Sequence, residues 1–221
     1  GGVWGLMRVF RLEQPQQQIR SIDVARTSSA AFMPGTLQAI KTTDEAEIIR
    51  TSTTKSFSAR LRQDHAITRC RHSAKGGEFI ITGGLGGLGL RAAAMLVSQV
   101  GATAVHLASR SGRIARGGQG LHDHLNALQG SSKSNVLATA SDVADANEMR
   151  MLMDAVGPLR GVLHAAGVLR DGMARSMTTE HVSVVIASKA LAASRLYSLA
   201  SGQALESLAF FSSTAAAFGN V

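Results

Sequence analysis

Cross-linking is scarce in this sequence. Cys70 is its only cysteine, so no disulfide can form within the chain, and the usage fits a reducing, intracellular and by default cytoplasmic setting. Aromatic residues make up only 4%, which speaks against an aromatic-rich β-sandwich. No uninterrupted apolar stretch reaches the ~18 residues of a membrane span, and no charged start followed by an apolar run marks a secretory signal. Internal repeats and low-complexity tracts are lacking too. The opening Gly1-Gly2-Val3-Trp4 has no initiator Met, and Val221 closely follows an apolar run, so both ends read as cuts through a longer polypeptide.

What is present is ordinary globular material. The 221 residues suit one large domain or two small ones. Hydrophobic residues reach 45% and charged ones 17%. A core of Leu, Val, Ile, Ala and Met, with glycines at the turns, suits a layered α/β fold. The formal charge of +8 comes from scattered residues such as Arg8, Arg11, Arg20, Arg50, Arg60, Arg62, Arg69 and Arg71. Without aromatic interleaving or a reader motif, this is a solvated basic face and argues against a nucleic-acid partner. His122-Asp123-His124 lacks a third ligand at metal-site spacing, so no metal is expected.

The chain divides by pattern. Residues 3–10 predict a short helix with Trp4, Leu6, Met7 and Phe10 on one side. Residues 19–24 alternate as a strand, a Ser/Thr/Ala-rich loop follows, and 46–50 and 56–61 predict two more short strands. Residues 63–77 are polar and basic and read as a linker. From Glu78 onward, apolar strands alternate with helices. Strands are predicted at 79–81, 104–108, 136–140, 161–166 and 207–211. Helices are predicted at 88–100, 121–128, 145–156 and within 178–199. This order implies a parallel sheet covered on both faces. The stripe Met149, Leu152, Met153, Val156 predicts the buried side of one helix, with Met151 at the surface.

The most informative segment is Thr82-Gly83-Gly84-Leu85-Gly86-Gly87-Leu88-Gly89, between a predicted strand and a predicted helix. Glycines let the main chain approach a ligand, and the free amides and dipole at a helix start favour a pyrophosphate. In NAD sites an acidic residue roughly 20 positions on holds the ribose hydroxyls. Here Ser109-Arg110-Ser111 stands instead. A carboxylate would repel a 2′-phosphate and an arginine can pair with it, so the cofactor predicted is NADPH. No Gly-Lys-Ser/Thr follows the turn, which excludes the usual nucleotide-triphosphate loop.

These segments, taken in order, resemble the ketoreductase domain of modular polyketide synthases and related fatty-acid synthases, in the short-chain dehydrogenase/reductase superfamily. Thr82–Gly89 resembles its cofactor motif, and Ser109-Arg110-Ser111-Gly112 its NADPH-selecting turn. Ser141-Asp142-Val143 resembles the segment that contacts adenine. The run 159–168, with Ala165, Ala166 and Gly167, resembles the strand and turn lining the nicotinamide side. Phe210-Phe211-Ser212-Ser213 resembles the strand end carrying the catalytic serine. Val3-Trp4-Gly5-Leu6 and Arg11-Leu12-Glu13 resemble the end of the degenerate Rossmann subdomain that precedes the catalytic half. The resemblance therefore implies an α/β, Rossmann-type parallel sheet with helices on both faces, with residues 76–221 as the NADPH-binding part. Residues 1–75 would be a remnant of the structural subdomain plus linker.

The implied chemistry is hydride transfer to a β-keto thioester, carried on the phosphopantetheine of an acyl carrier protein, with neighbouring synthase domains in the same polypeptide. The resemblance implies Lys189 and Ser213 as catalytic. It implies Gly83, Gly84, Leu85, Gly86, Gly87, Leu88, Ser109, Arg110, Asp142, Val143, Ala165, Ala166 and Gly167 as cofactor-binding. Its catalytic tyrosine is expected past Val221, so residues 1–221 alone are expected to reduce weakly or not at all. Tyr197 precedes the serine and reads as a packing residue. His164 is expected to hydrogen-bond locally in its turn. Leu169-Arg170-Asp171 keeps the last Asp of the Leu-Asp-Asp motif of one stereochemical class, with Arg in the middle. Two rival readings are a non-catalytic structural module and a free-standing carbonyl reductase. Domains of the first kind usually lose the Ser, Tyr, Lys or glycines, which makes the tyrosine the discriminating residue, and one of the second kind would lack the N-terminal region.

Overall fold

The computed structural model describes residues 2–25, 36, 38, 40–41, 44–52, 55–60, 76–114, 117 and 119–215. Cys70, Arg62, Arg69, Arg71, Val221, most of the expected linker and most of the loop after Val24 lie outside the described residues. The chain forms two units, one comprising Gly1–Arg69, Gly172–Ser176 and Ser213–Val221, the other Cys70–Asp171 and Met177–Ser212.

In the second unit, strands β4 (Glu78–Thr82), β5 (Ala104–Ser109), β6 (Asn135–Ala140), β7 (Leu159–His164) and β8 (Ser207–Phe210) form one sheet. The order is β6-β5-β4-β7-β8 and every pairing is parallel. The chain enters at the centre, runs outward through β5 and β6, then returns past β4 to β7 and β8. An unbroken apolar run such as Phe79-Ile80-Ile81 fits only a strand covered on both faces, and both Ile80 and Ile81 are 0% exposed. Ile81 packs with Leu90, Leu96, Leu107 and Leu128 on one face, and Ile80 with Met149, Met153, Val162 and Leu196 on the other. The first face belongs to helices α2 (Gly87–Met95) and α3 (Leu121–Gln129), the second to α4 (Ala146–Ala155) and α6 (Ala192–Ala200). The chain is thus α/β and Rossmann-type, with helices on both faces, as the sequence implied.

Two helices depart from the regular period. The helix predicted over 88–100 is α-helical to Met95 and then widens into a π turn, Leu96–Val100. The long helix begins behind Thr178, whose hydroxyl accepts from the His181 amide at 3.2 Å. It runs as α5 (Thr179–Ile186), a π turn (Ala187–Leu191) and α6. Read as one helix of 22 residues with mean hydropathy 1.3, Thr179–Ala200 is long and apolar enough to cross a bilayer. Its buried residues, Ser188, Ala192, Leu196 and Ala200, lie in the π turn and α6, while α5 has none. Tyr197, predicted to pack, is instead 64% exposed, because the next position along a helix turns about 100° away from the buried Leu196. Helix α4 bears out its stripe: Met149, Leu152, Met153 and Val156 are buried and Met151 is 70% exposed.

The first unit contains α1 (Gly2–Glu13) and strands β1 (Ser21–Val24), β2 (Glu47–Arg50) and β3 (Ser56–Phe57). Strand β1 pairs with β2 in parallel, and β2 with β3 antiparallel. Glu47 anchors this layer. It accepts from Arg8 at 2.6 and 2.7 Å and also pairs with Arg11. Arg8 in turn lies over the Trp4 ring at 5.8 Å. The Arg8 guanidinium, with Arg11, holds the Glu47 carboxyl below the ordinary carboxylate range despite partial burial.

Candidate functional site

In open parallel sheets, ligands bind outside the carboxyl ends of the strands, where the strand order reverses. Here that place lies past Thr82 and His164, the ends of β4 and β7. The chain leaves β4 through Gly83 at φ +69°, a conformation that side chains rarely adopt. A Cβ on Gly83 would sit 2.6 Å from the Ala166 backbone, so the glycine also brings the two turns together. A Cβ on Gly84 would meet Ile81 O at 2.7 Å, and one on Gly89 would meet Gly83 O at 2.6 Å. Those two glycines let the helix start pack against the strand. Gly86 and Gly87 are different. Among the described residues, the nearest atom to a Cβ on Gly86 lies at 3.4 Å and to one on Gly87 at 3.8 Å. Gly86 caps α2 without a side-chain hydrogen bond, which leaves the first amides of the helix available to an anion. Leu85 is buried in the core and only its backbone can serve a ligand, whereas Leu88 is 54% exposed.

At the end of β5, the Ser109 carbonyl accepts from Gly112 N at 3.1 Å and Ser141 N at 2.8 Å. Gly112 is pressed against β6, where a Cβ would lie 3.0 Å from Ala140 N. This turn leaves Arg110 exposed. The Ser109 hydroxyl is buried with no hydrogen-bond partner among the described residues. Past β6, Asp142 Oδ1 accepts from Ala144 N at 2.9 Å, and its own amide donates to Glu148 Oε2 at 2.7 Å. Val143 is buried in the second core. Asp145 caps α4, accepting from the amides of Asn147 and Glu148, and these bonds hold its carboxyl below the ordinary value.

On the other side of the crevice, Ala165 N donates to Thr82 O at 2.9 Å. A Cβ on Gly167 would fall 2.7 Å from Lys189 Cε, so the lysine stem runs across the glycine. Lys189 is exposed and stands in the π turn. Val168 N donates to Ser188 Oγ at 3.2 Å, fastening the same turn to the same helix. Ser213 is exposed, accepts from Ala215 N at 3.2 Å and belongs to the first unit. The structure therefore brings Gly83 to Ala166 and Gly167 to Lys189 within the second unit.

Sequence reasoning gave Ser188 no role, took Thr82 only as the start of the glycine motif, and expected a local bond for His164. His164 does not bond within its own turn. Its Nδ1 lies 2.6 Å from the Thr82 hydroxyl, 82 positions away in the sequence. Burial pushes its pKa below the ordinary histidine value, partly offset by the backbone of Lys189 and Ser188. A cavity of about 730 Å³, lined by Gly77, Pro158, Arg160 and Gln203 among others, opens at the amino ends of β4, β7 and β8. None of the glycine-turn residues lines it.

The cradle fits a dinucleotide. Its backbone approaches closely at Gly83, it is open at Gly86 and Gly87, and it carries an unpartnered buried hydroxyl at Ser109.

Comparison with known proteins gives a consistent picture. The KR domain family model matches residues 77–221. Polyketide synthase GfsA of Streptomyces halstedii is 35% identical over 98% of this chain and 3% of its own length. Pikromycin polyketide synthase component PikAIII of Streptomyces venezuelae is 31% identical over 99% of this chain and 14% of its own. Among solved structures, an A1-type ketoreductase matches at 30% identity and TM-score 0.79, covering 98% of this chain and 46% of that one. The ketoreductase from the first module of phoslactomycin biosynthesis in Streptomyces sp. HK803 matches at 28% identity and TM-score 0.76, covering 100% and 51%. The chain thus spans a small fraction of these synthases and about half of these ketoreductases.

Proposed function

This chain belongs to the KR domain family of ketoreductases, in the short-chain dehydrogenase/reductase superfamily, and from that membership we propose that it serves NADPH-dependent reduction of a β-keto thioester to the β-hydroxy thioester. The substrate would be held on the phosphopantetheine of an acyl carrier protein, beside further synthase domains of one intracellular polypeptide. Residues 76–221 are the cofactor-binding part in this reading, and residues 1–75 belong to a structural subdomain. The observation that carries it is the glycine turn at the end of β4, lying against Ala166 while Lys189 crosses Gly167.

NADPH, when bound, supplies the hydride that becomes the new C–H bond at the carbonyl carbon. The chain's residues bind and orient. The backbone of Gly83–Leu88 and the start of α2 would hold the pyrophosphate. Arg110 would pair with the 2′-phosphate and Ser109 would hydrogen-bond beside it. Asp142 and the backbone of Val143, whose side chain is buried, would meet the adenine, and Ala165, Ala166 and Gly167 would line the nicotinamide. By the family resemblance, the Ser213 hydroxyl would donate to the substrate carbonyl oxygen as charge develops there. The Lys189 ammonium supplies positive charge that lowers the pKa of the group protonating that oxygen.

Calorimetry of NADPH and NADH binding to this chain, with Arg110→Ala alongside, tests the reading. The expected result is NADPH at least ~10-fold tighter, equivalent to about 1.4 kcal/mol, with the preference abolished in the variant. Equal binding of the two cofactors, or binding of neither, would overturn it.

A further inference from the structure

Residues 141–145 join β6 to α4, and most of the bonds that shape them are local. Asp142 Oδ1 accepts from Ala144 N at 2.9 Å, Asp142 O accepts from Asp145 N at 2.9 Å, and Asp142 N donates to Glu148 Oε2 at 2.7 Å. Two bonds reach across the fold. Ser141 N donates to Ser109 O at 2.8 Å, which fixes the start of the loop to the end of β5. Arg195, on α6 and 51 positions along the chain, donates from Nη1 to Ala144 O at 2.5 Å. Ala144 is thus held at both ends, its N–H by Asp142 and its C=O by Arg195. A bond from a guanidinium is stronger than one between neutral groups, and this one is made to a loop, where no strand or helix ladder fixes the carbonyl.

The place of the loop gives that bond a purpose. It follows the carboxyl end of β6, next to the turn after β5 and at the same end of the parallel sheet as the glycine turn after β4. The Ser141 hydroxyl there is buried, the residue being 4% exposed, and like that of Ser109 it has no hydrogen-bond partner among the described residues. Two such hydroxyls at the ends of adjacent strands are groups that a polar ligand would satisfy. The inward side of the long helix reaches both halves of the cradle. Ser188, Ala192 and Leu196 are buried on it, and Arg195 lies beside them, half-buried. Ser188 Oγ accepts from Val168 N at 3.2 Å and so ties down the turn after β7. Arg195 does the same for the loop after β6.

We propose that Arg195 is a positioning residue for the adenine side of the cofactor: by holding Ala144 O it keeps the loop 141–145 in the shape that presents Asp142 and the backbone of Val143 to the base. The identity of the base rests on the function proposed above; the hold on the loop does not.

Ala144-Asp145 is the only Ala-Asp pair in the sequence. Alanine labelled with ¹³C at the carbonyl and aspartate labelled with ¹⁵N therefore give one pair resonance, which reports the Ala144 carbonyl. The ligand is adenosine 2′,5′-bisphosphate, the adenine end of NADPH without its nicotinamide, with binding read by calorimetry. Arg195→Met keeps a long stem and good helix propensity and loses the guanidinium. Ser188→Ala loosens the same helix at its other tie and leaves Arg195 in place. The expected result is that Arg195→Met moves the pair resonance and weakens the bisphosphate about 10-fold, as a loop in its binding shape only about a tenth of the time requires. Ser188→Ala should move neither. An unmoved resonance or an unchanged affinity in Arg195→Met, or an equal movement in Ser188→Ala, would overturn the proposal. If Arg195→Met fails to fold, Arg195→Gln, polar but too short to reach Ala144 O, decides it on the same two readouts. The wild type separates the two ideas. Absent binding of the bisphosphate by the wild type overturns the function proposed above and the adenine role with it. Wild-type binding that Arg195→Met leaves unchanged overturns the role of Arg195 alone.

Discussion

Around β4 each apolar side chain finds apolar partners on its own face of the sheet, whereas around β2 the buried Ile48 stands between Glu47 and Ile49 and it is arginines that close the layer. Among the described residues, Ile48 is the one buried hydrophobic side chain of the first unit, against two apolar clusters in the second. Apolar burial is insensitive to pH and nearly so to salt, while ion pairs are sensitive to both. The two units should therefore fail under different conditions.

The largest effect should come from the turn on which the second unit's site depends. Gly83→Val places a branched side chain at φ +69° and against the Ala166 backbone. We expect loss of about 3 kcal/mol or more and no measurable NADPH binding, read by denaturant unfolding and calorimetry. Leu196→Ala comes next, opening a cavity in the second core at a cost of about 2–5 kcal/mol. Were Ile48→Ala to cost as much, the contrast between the units would collapse. Glu47→Gln probes the first unit through pH. The Glu47 carboxyl is held below its ordinary value of 4.5, so its contribution is fully present above that value and is lost as pH falls through the lowered pKa. Protection of the β1 and β2 amides, corrected for the intrinsic pH dependence of exchange, should fall on acidification in the wild type. In Glu47→Gln protection should be lower already at neutral pH and respond less to acid, and added salt should narrow the gap. A wild-type profile flat through the carboxylate range would break the comparison from the other side. The smallest effect should be Asp145→Ala, which removes the two capping bonds of α4 and should lower the melting temperature by a few degrees.

How much was legible follows the same division. The strands of the second unit stand out because continuous apolar runs bounded by glycine leave few alternatives, and β4, β5 and β6 each fall within a residue or two of expectation. In the first unit the strand expected over 56–61 shrinks to Ser56–Phe57. Its partner β2 ends at Arg50, and only the pairs Ile49–Phe57 and Arg50–Ser56 can form. The two π turns have no compositional mark, since an i→i+5 widening depends on what packs beside the helix. The glycine turn was readable because its chemistry is local. The approach of Gly167 to Lys189 and the Thr82–His164 bond were not, because each joins segments that only the folded sheet brings together.

The order of strands also bears on how the chain is made. Strand β4 is central, yet its partner on one side, β7, follows far behind, with Thr82 and His164 separated by 82 positions. At about 5–20 residues per second, synthesis leaves that edge of β4 unpaired for roughly 4–16 seconds after β4 itself emerges. During that interval Phe79-Ile80-Ile81 is an apolar strand with one open side, flanked by Glu78 as its nearest charge. Ribosomes spaced closely on one message would bring two such edges side by side, so the yield of soluble protein should respond to translation rate between codons 82 and 164 more than to any stretch after it.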